Sequence, residues 1–225
     1  MINTLLVCDN NDNELGGFFK KCHDKIKIIL DSSECQFNTI PITGNSSFEM
    51  LVSINADAIN SEPFLFMSYS HGSENELLQN GVTPFLSTVN GIDCLKNSFA
   101  YCYACKAGGV LGKELCKKGA LCFIGYSQNI TIQFYFGAED ALIECATCGI
   151  KVFVDGKTTG QTLKTIKEKY TKCVDEFYLK DMFTASLFMQ NRDALVLHGD
   201  SELMISDIDS QKIHYDNSHN KERLR

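Results

Sequence analysis

Short apolar runs alternate along the chain with stretches whose apolar residues recur every three or four positions. The runs INTLLVC (2–8), QFNTIPI (36–42), PFLFMSY (63–69), SFAYCYA (98–104), ALCFIGY (120–126) and ALVLH (194–198) are each too short for a buried helix and read as strands. Pro63 stands at the start of its run, where proline is tolerated. Helical spacing predicts a helix over 14–30 from Leu15, Phe18, Phe19, Cys22, Ile26 and Ile29, and a weaker one over 47–60. A third is predicted over 109–118, closed by Gly119, and the clearest over 161–178, where Leu163, Ile166, Tyr170, Cys173, Val174 and Phe177 share a face. Residues 73–97 carry the turn pairs Asn80-Gly81 and Asn90-Gly91 and suit one or two hairpins. A helix near 137–147, a short strand at 150–154 and a pairing segment at 202–206 complete the expectation. Runs that alternate with amphipathic helices predict an α/β fold, a mostly parallel sheet covered on both faces. One domain over 1–210 followed by a polar tail over 211–225 is the simplest division.

Composition narrows the function classes. The chain has 225 residues, 44% hydrophobic and 22% charged, enough for a sizeable core. A net charge of -7 argues against nucleic acid, whose phosphates need clustered Lys and Arg. No run reaches the length of a membrane span. Met1 to Cys8 lacks the basic flank and cleavage site of a leader. The 11 Cys are therefore expected as reduced thiols in a cytoplasmic protein.

In parallel sheets, sites form at the carboxyl ends of the strands, and three such ends carry chemistry. One run ends in Ser70-His71-Gly72-Ser73, one in Ala104-Cys105-Lys106-Ala107-Gly108, and the last in His198-Gly199-Asp200. A cysteine acts as a thiolate and needs a neighbouring base or oriented N–H groups. Cys105 stands where a strand gives way to a small-residue loop before a helix, a place where backbone N–H groups favour a thiolate and an oxyanion. Its plain alternative is a core cysteine. Histidine is the usual acid–base at neutral pH, and His71 precedes a glycine that leaves its N–H accessible. Its plain alternative is a turn residue. The two strands are consecutive runs with the hairpin region between them, and such strands are often neighbours, so a dyad needs no special folding.

A strand ending in His-Gly, then one ending in Ala-Cys, resembles the caspase-like cysteine peptidase superfamily, closest to its CHAT and gingipain members. "YACKAG" is similar to their Ala-Cys-x-x-Gly motif and "DALVLHGDSELMI" to their closing strand; the likeness spans roughly residues 1–208. The resemblance implies a three-layer sandwich around about six strands, with helices on both faces. It implies a cysteine endopeptidase that works through a thioester, with Cys105 as nucleophile and His71 as proton-transfer residue. It implies an oxyanion hole from the backbone N–H groups of Gly72 and Cys105. It implies a protein substrate, a protein activator or regulator, and a prokaryotic defence or cell-death setting. No cofactor and no metal are expected.

The chain also departs from that family. Tyr103 and Ala107 replace the Gln and Gly of the caspase signature, and Cys105 follows His71 by 34 residues, against roughly 50 in caspases. Tyr103 stands where metacaspases carry Asp, and 127–136 holds no acid. Glu139 and Asp140 are the remaining candidates for a substrate pocket, with the acidic first turn of a helix as their plain reading. Three alternatives stay open: His198 as the base, a silent caspase-like interaction domain, and a zinc or redox protein built on Cys102-x-x-Cys105 and Cys145-x-x-Cys148. A dinucleotide fold is disfavoured because the first strand runs into Cys8-Asp9-Asn10-Asn11, not a glycine-rich loop.

Overall fold

Continuous apolar runs become strands when both faces of a sheet are covered, and that is what happens here. A computed structural model describes residues 1–209; the tail expected over 211–225 lies outside the described residues. In chain order the elements are β1 (Ile2–Cys8), α1 (Gly16–Asp31), β2 (Phe37–Thr43), α2 (Glu49–Asp57), β3 (Phe64–Tyr69), β4 (His71–Gly72), β5 (Glu76–Gln79), β6 (Thr83–Ser87), β7 (Ser98–Tyr103), α3 (Leu111–Lys117), β8 (Cys122–Tyr126), α4 (Ala138–Val154), α5 (Thr159–Tyr178), α6 (Met182–Ala194), β9 (Leu195–Gly199) and α7 (Ile205–Ile208).

The main sheet has six strands in the order β2-β1-β3-β7-β8-β9. The first five run parallel, and β9 closes the edge antiparallel. Strands β3 and β7 are buried at every position, which is why their sequences do not alternate. One face packs under α1, α4, α5 and α6, through residues such as Phe18, Tyr69, Ile150, Ile166 and Phe188. The other packs under α2, α3 and the hairpin strands, through Phe66, Val52, Leu115 and Phe85. Each fully buried Phe or Leu contributes about 1.5–3 kcal/mol. A separate small sheet, β4-β5-β6, fills the predicted hairpin region; the three-residue loop Asn80-Gly81-Val82 joins β5 to β6, with Asn80 and Gly81 at positive φ (49° and 68°) and Val82 N donating to Gln79 O at 3.0 Å, a tight turn that suits right-twisted strands.

Local signals set the helix starts. Thr158 Oγ accepts from Gln161 N, and the Gln161 side chain accepts from Thr158 N, each at 3.2 Å, a capping box that opens α5. Asp181 accepts from Thr184 N at 3.0 Å and opens α6, a helix that the sequence pattern did not predict. Two expectations are corrected. Residues 150–154 are not a strand but the end of α4, because Ile150, Phe153 and Val154 continue the buried face of Leu142, Ile143 and Ala146. Residues 202–206 do not pair beside β9: Gly199 at φ 85° turns the chain away, and Leu203, Ile205 and Ile208 anchor the α7 turn in the core.

Strand order reverses between β1 and β3: the chain leaves β1 for one neighbour, then returns to the other side. The crevice outside the carboxyl ends at such a switch point is where sheets of this kind bind ligands.

Candidate active site

The loop after β1 is built around two aspartates. Asp9 N–H donates to Tyr69 O at 3.0 Å and extends the pairing with β3. Asp12 folds back on its own backbone: Oδ1 accepts from Leu15 N at 2.6 Å and Glu14 N at 3.0 Å, just ahead of α1. Gly16 is needed here, since a Cβ would lie 2.7 Å from Asn10 O. The turn leaves Asp12 Oδ2 free to reach His71 Nε2 at 3.1 Å.

His71 follows β3 by two residues and lies half-buried. Phe19 meets its ring edge-on, centroids 5.7 Å apart, and the Asn80-Gly81 turn packs on another side, close enough that a Cβ on Gly81 would come within 3.7 Å of the ring. With Nε2 held by the Asp12 carboxylate, the proton of the neutral ring belongs on Nε2 and the lone pair on Nδ1.

Cys105 sits two residues past β7, and Lys106 after it takes a left-handed φ of 57°. That turn is held by Lys106 N donating to Gln128 O (3.0 Å), Gly108 N to Tyr126 O (2.8 Å) and Gly109 N to Lys106 O (2.8 Å). The Cys105 N–H bonds to no other group among the described residues. Gly72 approaches the same turn closely: a Cβ there would lie 2.8 Å from Cys105 O and 2.9 Å from Ala104 Cβ. Ser73 N donates to Glu76 O at 2.9 Å, so Gly72 and Leu77, the next pair, fall at a non-bonded step of the antiparallel ladder, and the Gly72 N–H turns away from β5.

His71 and Cys105 line one small cleft of about 20 Å³, with Leu15, Phe19, Ile130 and Ile132 as apolar walls and Tyr103 at its base. The cleft is covered. Ile130 N donates to Cys105 Sγ at 3.3 Å, and Ile130 O lies 3.7 Å from the same sulfur. Buried Asn191 of α6 fixes this segment by gripping Thr131 twice, N–H to Oδ1 at 2.9 Å and Nδ2 to O at 2.8 Å.

Burial opposes ionisation of Asp12, but the Leu15 and Glu14 N–H groups and the neighbouring His71 outweigh it and hold its carboxyl below the ordinary range. Asp9 goes the other way: burial, aided by the charge of Asp12, raises its carboxyl against the pull of the Asn80 N–H and His71.

The other candidates fall elsewhere. Glu139 and Asp140 occupy the first turn of α4, where the helix dipole favours acids; Glu139 pairs with Lys21 at 2.7 Å, and neither lines the cleft. His198 stands on β9, which runs antiparallel and carries it back to Phe123; its Nε2 contacts Gly108 O at 2.7 Å and its ring stacks on Phe123. The two C-x-x-C pairs do not meet: Cys102 is packed under α2 and α3, whereas Cys145 is packed on the opposite face of the sheet. Asp9 and Asp12 were not singled out from sequence. Their signal was present, as acids just past the first strand's carboxyl end, but only the strand order brings that end beside His71.

Two solved structures share the fold. The complex of the pro- and mature domains of RgpB from Porphyromonas gingivalis superposes with a TM-score of 0.58 at 17% identity, over 90% of this chain and 48% of that one. The Arg-specific cysteine proteinase gingipain R superposes with a TM-score of 0.58 at 16% identity, over 90% and 47%. The fold is that of the caspase-like cysteine peptidases. No protein-family model and no curated protein matches the sequence. The chain spans about half the length of the gingipain chains it matches.

Proposed function

We propose that this chain is a cysteine endopeptidase in which Cys105 is the nucleophile, His71 the acid–base and Asp12 the residue that positions His71. The observation that carries this reading is the cleft shared by His71 and Cys105, with a carboxylate on the far nitrogen of the imidazole. His71 Nδ1 takes the thiol proton as Cys105 Sγ attacks the scissile carbonyl. The Gly72 and Cys105 N–H groups donate to the oxyanion of the tetrahedral intermediate. As it collapses, the C–N bond breaks, His71 gives its proton to the leaving amine, and a thioester remains on Cys105. Water then loses a proton to His71 and attacks the thioester, releasing the acid and restoring the thiol. Asp12 keeps the imidazole in the tautomer that this cycle needs.

Tyr103 and the apolar walls form the base of the substrate pocket. The substrate is a protein, and the setting is cytoplasmic, in a defence or cell-death role of the kind served by CHAT peptidases. The free state of all eleven cysteines supports a reducing compartment. Ile130 over Cys105 supports control by a protein activator that lifts the 127–134 segment from the sulfur. The same cover favours a second reading, a caspase-like interaction domain without turnover.

A peptide-library cleavage assay on the wild type, Cys105→Ala and His71→Ala tests the proposal. Cleavage lost in both variants, with the circular dichroism of the wild type retained, is the expected result. Cleavage that survives in His71→Ala removes the dyad. Cys105 that stays inert in the wild type even after the 127–134 segment is loosened favours the interaction domain.

A further inference from the structure

One carboxylate beside the dyad takes no part in proton transfer. Asp9 is fully buried. Its Oδ2 accepts the Asn80 N–H at 2.7 Å, and its Oδ1 has no hydrogen-bond partner among the described residues. An unpaired buried carboxylate oxygen is costly to keep. Among the described residues, the charged neighbours that act on it are Asp12 and His71. A carboxylate oxygen of Asp9, one of Asp12 and a ring nitrogen of His71 all lie within 4.8 Å of one another. The cluster occupies the crevice between the ends of β1 and β3, where strand order reverses.

We propose that Asp9, Asp12 and His71 form a site for a divalent first-row transition cation, and that its occupancy withdraws His71 from Cys105. One imidazole with two carboxylates suits Mn2+, Fe2+ or Zn2+. Bonds of about 2.0–2.2 Å require the three donors to close in by roughly an ångström. Asp12 and His71 are partly exposed and carry that movement; Asp9 is the fixed donor. The cation takes the place of the proton on His71 Nε2. The neutral ring then carries its hydrogen on Nδ1, which has no lone pair left to accept the Cys105 proton. No net proton is gained or lost in this exchange of tautomers. The cation site stands on geometry alone, and its effect on Cys105 rests on the peptidase reading above.

Mn2+ is the probe, because thiolates prefer softer metals and free Mn2+ is counted directly by electron paramagnetic resonance. The full chain is expected to bind one Mn2+, with affinity reduced at least about 10-fold in Asp9→Asn and in His71→Ala, and unchanged in Cys105→Ala. Saturating Mn2+ should slow alkylation of Cys105 in the wild type and leave it unchanged in Asp9→Asn. Wild-type affinity in a folded Asp9→Asn or His71→Ala protein overturns the proposal, as does the absence of saturable binding up to millimolar Mn2+. The resonance titration uses no peptidase activity, so its failure is distinct from a failure to cleave peptides.

Discussion

Cys102 lies inside β7, buried against α2 and α3, while Cys105 lies just past the strand in a turn where strand ends converge. Burial pushes the Cys102 thiol far up, and among the described residues no charged or polar partner offsets it. Cys105 is partly exposed, meets the Ile130 N–H, and shares its cleft with His71. Three residues of sequence separate a small hydrophobe from a candidate nucleophile. What differs is whether the sheet's packing or the crevice at its edge surrounds the sulfur.

Alkylation mapped peptide by peptide tests this contrast most strongly. Cys105 should react near neutral pH on the order of 100-fold faster than Cys102 or Cys122, the latter pushed up to about 12 by burial. His71→Ala should erase most of that advantage. Equal reactivity of Cys102 and Cys105 in the folded wild type would break the comparison.

Asp12→Asn comes next. Replacing the carboxylate on His71 Nε2 favours the wrong tautomer, and a loss of 10- to 10⁴-fold in turnover is expected from the behaviour of comparable positioning residues, roughly. The pH profile should change with it, whereas a merely structural role would lower turnover evenly. The Asp12 carboxyl is held low in the fold, so its contribution to stability is present above its unfolded pKa and is lost as pH falls through its folded value. Acid unfolding of Asp12→Asn should lack that component.

Asn191→Ala sharpens the other half of the comparison, the cover on Cys105. It removes both bonds to Thr131 and should cost about 1–3 kcal/mol by leaving buried groups unpaired. Cys105 should become several-fold more reactive, with Cys102 unchanged. Unaltered Cys105 reactivity would show that the 127–134 segment does not govern access.

The smallest effect belongs to Asp9. Its carboxyl is raised by burial, so the folded state binds a proton more readily than the unfolded one, and stability falls as pH rises from the unfolded pKa through the folded one. Asp9→Asn removes that cost and should raise the melting temperature at neutral pH while leaving it nearly unchanged in acid. A lower melting temperature at neutral pH would mean that Asp9 is ionised and compensated in the apo fold.

The sequence by itself determined the parallel α/β frame. Buried runs without alternation and helices with a single apolar stripe leave few other arrangements, and these patterns are local. It determined, for the same reason, that His-Gly and Ala-Cys stand at strand ends. Tertiary structure decided the rest. The end of α4 reads as a strand in isolation because Ile, Val and Phe favour strands locally, and only its continued contact with the core keeps it helical. Asp12 meets His71, and Asp9 lies beside both, only because β1 is central and its end adjoins that of β3. Glu139 and Asp140, closer to the expected pattern of a pocket, are spent on the start of α4 and on Lys21. Ile130 covers Cys105 because Asn191, 60 residues beyond Thr131, holds the segment in place. Contacts of that kind depend on which strand ends and helices become neighbours, and no local period in a chain records it.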